Sequence, residues 1–247
     1  MKNQIIFLAA LMGFAGTQLN AQSKAEDIFR TYRFGLFIGP TFNSMRPTAG
    51  TIENYSVSKT KGNIGFSFGL TADYNINDRY TLFSGIGMDW RGGSISTVHG
   101  STSIKVEYVK SAAVKYKLQY LTVPLGLKMK AAEFDKIKVF ATTGVDLGVL
   151  LSQGGDATLQ PTTQATPLVL EKSKLGGTAT VVPVNAGWFI GAGAEYKLND
   201  KNSFYVSLIY RNGFTDVTTP KTNDPYKKFS DGNIRANTFA IRVGYFF

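Results

Sequence analysis

From about residue 33 to the end, the chain repeats one pattern: large apolar residues at every second position, small or polar ones between them. Such a period of two marks strands with one apolar face. The segment 64–74 is the cleanest case. Ile64, Phe66, Phe68, Leu70, Ala72 and Tyr74 share a face, and Gly65, Ser67, Gly69, Thr71 and Asp73 share the other. Eight stretches read this way. Their apolar faces are Phe34, Leu36, Ile38 and Phe42; Ile64 to Tyr74; Tyr80, Leu82, Ile86, Met88 and Trp90; and Leu121, Val123, Leu125 and Leu127. The later four are Val139, Ala141, Val145, Leu147, Val149 and Leu151; Trp188, Ile190, Ala192, Ala194, Tyr196 and Leu198; Phe204, Val206, Leu208 and Tyr210; and Phe239, Ile241, Val243, Tyr245 and Phe247.

The connections alternate in length. Short ones follow the second, fourth and sixth strands at Asn75 to Asp78, Ala131 to Lys136 and Asn199 to Asn202, with Asn, Asp and Lys supplying turn chemistry. Long ones cover roughly residues 44–62, 92–118, 152–185 and 212–236. Bacterial outer-membrane barrels have short periplasmic turns and long external loops. A chain that starts in the periplasm puts every short turn there. Aromatic residues sort accordingly. Tyr74, Tyr80, Tyr196, Phe204, Tyr245 and Phe247 fall at one end of their strands, and Phe42, Trp90, Trp188 and Tyr210 at the other. These are the two girdles of a membrane barrel, where half-wet rings sit.

The alternative of a soluble barrel with its apolar face inward fails on volume. Eight strands enclose room for modest side chains only, whereas the apolar faces carry Phe, Tyr, Leu and Trp. The opposite faces are rich in glycine and carry Asp73, Asp89, Arg91, Lys128, Asp146, Glu195, Arg211 and Arg242. Four acids and four bases suit a paired interior network. The expected fold is all-β: an eight-stranded antiparallel up-and-down transmembrane β-barrel.

Composition adds location. Lys2 followed by the apolar run Ile5 to Phe14, with Ala21–Gln22 as a cleavage point, reads as a signal peptide over residues 1–21. Residues 22–32 then form a periplasmic segment and 33–247 the barrel domain. The chain has no cysteine, which excludes disulfides, thiolate metal sites and cysteine nucleophiles. No apolar run after residue 21 reaches the length of a membrane-spanning helix. The net charge is +10. In an exported protein this charge serves solubility and loop solvation, or attracts anionic lipid headgroups including phosphorylated surface lipid, rather than nucleic acid.

Candidate chemistry is sparse. His99 is the one histidine, and His99-Gly100-Ser101 has the His-x-Ser spacing of outer-membrane lipid A deacylases, with Glu107 as a conceivable orienting carboxylate. The surrounding Ser, Thr and Gly read instead as a polar loop. Asp73, Asp89 and Asp146 could form an acidic protease or metal cluster, but aspartates between glycines inside a narrow barrel are better read as partners for Arg91, Arg211 and Arg242. No cofactor is expected. Lys59, Lys61, Lys105, Lys110, Lys115, Lys117, Lys172, Lys174, Lys221, Lys227 and Lys228 lie in the long connections. They are solvated, or dock to lipopolysaccharide phosphates or an acidic partner. The segment 104–118 alternates again and could extend the third and fourth strands as a hairpin above the membrane, with an edge open to a partner.

Several segments together resemble the PorT-like outer-membrane barrels of Bacteroidota. They are Tyr120-Leu121-Thr122-Val123-Pro124-Leu125-Gly126-Leu127-Lys128, Gly191-Ala192-Gly193-Ala194-Glu195-Tyr196-Lys197-Leu198, Tyr210-Arg211-Asn212-Gly213-Phe214-Thr215-Asp216 and the Arg242-Val243-Gly244-Tyr245-Phe246-Phe247 ending. The resemblance covers about residues 30–247 and implies the barrel fold, the bacterial outer membrane with both termini in the periplasm, and a part in type IX protein secretion. The expected role is non-enzymatic: structural, interaction or secretion-accessory. Expected partners are outer-membrane lipid, lipopolysaccharide and an outer-membrane or secretion-complex protein. A lipid-modifying enzyme and a small narrow pore are the alternatives.

Overall fold

The computed structural model describes residues 32–48, 51–52, 55–99, 109–161, 166, 168–173, 180–199, 202–219 and 233–247. The expected signal peptide, Ser101, Glu107, Lys105, Lys174, Lys221, Lys227 and Lys228 lie outside these residues. So do residues 22–31 of the expected periplasmic segment; its last residue, Tyr32, already belongs to the first strand.

The strands are β1 (Tyr32–Pro47), β2 (Thr51–Ile52), β3 (Tyr55–Asn75), β4 (Tyr80–His99), β5 (Val109–Phe134) and β6 (Ile137–Pro161). They continue as β7 (Leu168–Ser173), β8 (Thr180–Val181), β9 (Val184–Lys197), β10 (Ser203–Gly213), β11 (Thr218–Thr219) and β12 (Ile234–Phe246). Eight of them, β1, β3, β4, β5, β6, β9, β10 and β12, pair antiparallel in a ring that β1 closes by pairing with both β12 and β3. Closure leaves no free edge in the ring, the condition for a sheet to cross lipid.

The ring's exterior is apolar over a broad belt. Ile38, Leu70, Ile86, Leu125, Leu147, Ile190, Leu208 and Val243, one from each of the eight strands, are all about half exposed. Such a belt around a closed barrel is the surface that a membrane barrel turns to lipid. Trp90 and Trp188 mark one rim, each beside a second ring: Phe68 at 5.8 Å and Tyr210 at 5.8 Å. Tyr32, Tyr74, Phe204, Tyr245 and Phe247 mark the other, with Tyr32–Tyr74 and Phe204–Tyr245 centroids 5.0 and 4.9 Å apart.

The turns at this second rim are tight for identifiable reasons. Asn77 Oδ1 accepts from the backbone N–H groups of Arg79 and Tyr80 at 2.9 and 2.8 Å. Asn199 Oδ1 accepts from Asn202 N at 2.7 Å. The β5–β6 hairpin turns through two residues, Asp135 and Lys136, with Asp135 at φ 52°, a conformation aspartate tolerates well. This turn is shorter than the 131–136 connection expected from the sequence, because β5 continues to Phe134.

The larger correction is at the other end. Strands β3 to β6 run far past the rim, to 21, 20, 26 and 25 residues, so much of what reads as loop is strand. The 104–118 extension exists in part, with β4 and β5 paired as far as Val98 and Ser111. Its edges are not open: β3 covers one and β6 the other. Above the rim the interior also changes character. Met45, Val57, Ile95, Val114, Tyr116, Leu118 and Tyr120 form a buried apolar core, and the small β8–β11 ribbon brings Val181 and Val217 onto it.

Candidate functional site: the interior charge network

The eight charged residues expected inside are all buried in the lumen. The pleat explains why: each alternates with a lipid-facing apolar neighbour on its own strand. They form two separate layers rather than one network.

The layer nearer the long extensions centres on Asp89. Its Oδ2 accepts from Arg211 Nη1 at 2.6 Å, Arg91 Nη2 at 3.0 Å and Thr122 Oγ1 at 3.2 Å. Arg91 Nη2 also donates to Asp146 Oδ2 at 3.0 Å, and Nη1 to Asn185 Oδ1 at 3.3 Å. Strands β4, β6, β9 and β10 are thus tied across the lumen. Asn185 carries the tie upward through Nδ2 to Thr215 Oγ1 at 2.9 Å. The next residue, Asp216, accepts the N–H groups of Thr218 and Ile234 at 3.1 and 2.8 Å. The 215–219 segment, whose Val217 packs on the upper apolar core, is therefore hydrogen-bonded to the ionic layer beneath it. Asn43 adds a neutral link, accepting from Thr238 Oγ1 at 2.8 Å and donating to Trp90 O at 3.0 Å.

The second layer lies nearer the short turns. Lys128 Nζ is paired with Asp73 Oδ2, and the same ammonium faces the rings of Phe246 and Phe140 at 4.7 and 5.2 Å. Glu195 Oε1 meets Arg33 Nη2 at 2.8 Å and accepts from Ser203 Oγ at 2.9 Å. Arg33 is the residue sequence reasoning missed. It stands at the start of β1, where few alternating neighbours frame it, although its parity with Gly35, Phe37 and Gly39 points it inward.

Arg33 changes the pairing. Five interior cations face four carboxylates, and Arg242 is the one without an acid among the described residues. This corrects the expectation that Arg242 pairs with an aspartate. Its guanidinium instead lies over the Phe37 ring at 4.0 Å, a cation–π contact, beside a cavity of about 40 Å³ lined also by Thr142, Ser207 and Tyr205.

Between the two layers the lumen is filled by rings set against glycines. A Cβ on Gly126 would come 2.7 Å from both Phe83 and Phe189, and one on Gly69 would come 2.9 Å from Phe37. The interior glycines are sockets for Phe37, Phe83, Phe140 and Phe189. Asp73, Asp89 and Asp146 each serve as partner to a lysine or arginine, as the ion-pair reading of the sequence expects. Of the His99 pair, only the His99 backbone, at the end of β4, is described. The girdle residues Tyr74, Tyr80, Trp90, Trp188, Tyr196, Tyr210, Tyr245 and Phe247 alternate with the buried positions and lie on the outer face.

Residues 20–219 match a family model described as an outer membrane protein beta-barrel domain. No curated protein matches the chain. Among solved structures, the outer membrane protein OprG from Pseudomonas aeruginosa is similar at 12% identity and a TM-score of 0.44, over 88% of this chain and 96% of that one. Neisserial surface protein A is similar at 13% identity and a TM-score of 0.39, over 85% and 95%. The attachment invasion locus protein Ail of Yersinia pestis is similar at 12% and 0.36, over 88% and 99%.

Proposed function

We propose that this chain, which belongs to the outer membrane protein beta-barrel domain family, works as a closed, non-conducting and non-enzymatic barrel. In this reading it presents a rigid β platform at the outer surface for interaction. The observation that carries the reading is the filling of the lumen by successive layers of described residues. A Lys128–Asp73 and Arg33–Glu195 layer, a layer of rings, the Asp89–Arg91–Asp146–Arg211 layer and an apolar core follow one another among the described residues, with a cavity of about 40 Å³ beside Arg242. A charged layer of this kind costs desolvation energy that its ion pairs must offset, and Asp89 Oδ1, Arg91 Nε and Arg211 Nε are buried in it without a hydrogen-bond partner. Here it cross-links strands that are distant in the ring.

The extensions support the interaction half of the reading. Beyond the rim, β3 to β6, flanked by β2 and β7, build a stiff sheet around an apolar core, more structure than passive anchoring requires. The resemblance to PorT-like barrels makes a secretion-accessory role the specific form of this reading, with an outer-membrane protein as partner. The engagement of Asp73, Asp89 and Asp146 by cations supports the non-enzymatic half, since none is left as a free carboxylate pair. Cross-linking in intact outer membrane, followed by deletion of residues 94–99 and 109–115, tests the interaction. Loss of a specific cross-linked partner is expected; an unchanged cross-linking pattern contradicts it.

A further inference from the structure

On the outer wall of β1, β3, β4 and β5, an apolar groove lies further along the same sheet from three lysines on β3 and β5, on their membrane side. The groove, about 540 Å³, is lined by Leu36, Ile38, Phe68, Leu70, Met88 and Leu121 among others. Gly69 and Gly87 face each other at its floor, where Phe37, packed behind them, forms part of its lining. On β5, Lys117 stands four residues beyond Leu121, and Lys115 six. Lys61 on β3 and Lys115 on β5 both pair with Ser94 of the strand between them. Two strand spacings separate Lys61 from Lys115, about 10 Å. Lys115 and Lys117 alternate with the buried Val114, Tyr116 and Leu118, so they project outward, and Lys61 is exposed.

The heights match a lipid. Trp90, on the strand between, marks the rim. Lys117 pairs with Gly92, two residues above Trp90, and Lys115 with Ser94, four above. At ~3.3 Å per residue and a barrel tilt near 40°, these levels lie about 5 and 10 Å beyond the rim, in the headgroup zone. Lys117 shares Asp156 at 3.3 Å. Lys115 stands opposite the same Asp156 in the β5–β6 register, but among the described residues neither Lys61 nor Lys115 forms an ion pair with a carboxylate.

We infer that this face is a binding site for a phosphorylated glycolipid of the outer leaflet, lipid A in chemical class, with its phosphates on Lys61, Lys115 and Lys117 and an acyl chain in the groove. A cation row spanning about 10 Å fits a headgroup carrying two separated phosphates, whereas a glycerophospholipid offers one. The inference rests on the reading that the long strand ends face outward. Labelling of a Lys115→Cys variant on intact cells by a membrane-impermeant maleimide tests that orientation separately, and the conductance of the barrel is independent of both.

The test is lipid retention by the full mature barrel in detergent, read by native mass spectrometry. The probes are bisphosphorylated lipid A, its dephosphorylated form and phosphatidylglycerol. The variants are the triple K61E/K115E/K117E, Met88→Trp, which fills the groove from the lipid side, and Lys136→Glu at the opposite rim as control. A heat-dependent gel shift confirms that each is folded. The expected result is preferential retention of bisphosphorylated lipid A, at least tenfold weaker in the triple variant and in Met88→Trp, and unchanged in Lys136→Glu. Equal retention of phosphatidylglycerol or of dephosphorylated lipid A overturns the site. So does unchanged retention in either the triple variant or Met88→Trp.

Discussion

Arg91 and Asp146 are 55 positions apart in the chain and meet at 3.0 Å across the barrel lumen. The same nitrogen of Arg91, Nη2, also reaches Asp89 at 3.0 Å, so one guanidinium joins two carboxylates inside the barrel. Both halves of this contact are almost fully buried. Removing one partner of such a pair is far more costly than never having built it.

Asp89→Ala therefore strands Arg211, whose one acid it is among the described residues, and leaves Arg91 with Asp146 alone. It should destabilise the barrel by about 3–5 kcal/mol, measured by urea unfolding in lipid vesicles. The exposed Lys117–Asp156 pair is the contrast. Lys117→Ala should cost less than about 1 kcal/mol. Similar losses for the two would show that the interior pairs are not specially held.

Arg242 should behave unlike Arg91. It strands no carboxylate when removed, so Arg242→Met is expected to stay within about 1 kcal/mol of the parent, while Arg91→Met, which abandons Asp146, costs about 3–5 kcal/mol. The same unfolding experiment compares them. A large loss at Arg242 would mean that its cation–π contact with Phe37 matters more than charge pairing.

Gly126→Val drives a side chain into the space held by Phe83 and Phe189. The expected penalty is about 1–3 kcal/mol of overpacking, relieved in part when Phe189→Leu is added. A double variant no better than Gly126→Val alone would separate the glycine from the rings.

Leu208 should show which face meets lipid. It sits near the middle of β10 and is about half exposed. Leu208→Arg is expected to cost about 2–4 kcal/mol, the penalty of a charge near the bilayer midplane. Lys115→Glu, on the extended part of β5, should cost little. A tolerated arginine at 208 would place that wall in water.

The membrane-spanning part of this fold is legible in the sequence because lipid imposes one rule on all eight strands. Leu121, Val123 and Leu125 point out, and Thr122 and Lys128 point in. Above the rim the rule inverts. On β5 the inward residues become Val114, Tyr116, Leu118 and Tyr120, while Lys115 and Lys117 face water. The apolar positions switch from odd to even between Tyr120 and Leu121. A reading that follows one apolar face ends the strand there and assigns the rest to a loop. The charged residues were legible as interior groups from parity alone. Their partners were not, because pairing across the lumen depends on the stagger of the ring. Arg33 was lost at a strand end, and its claim on Glu195 is what leaves Arg242 alone. The contact from Asn185 to Thr215 has no local signal, since it joins residues 30 apart through one side-chain hydrogen bond.

Single-channel recording in planar bilayers tests the closed lumen most directly. With the Asp89–Arg91–Asp146–Arg211 layer intact, the mature protein should insert and show no steady open current in symmetric salt, and Asp89→Ala or Arg91→Met should be the variants in which intermittent openings first emerge. A steady ohmic conductance from the unaltered protein would contradict the account: its interior would be a pore, and the charged layers its lining rather than its plug.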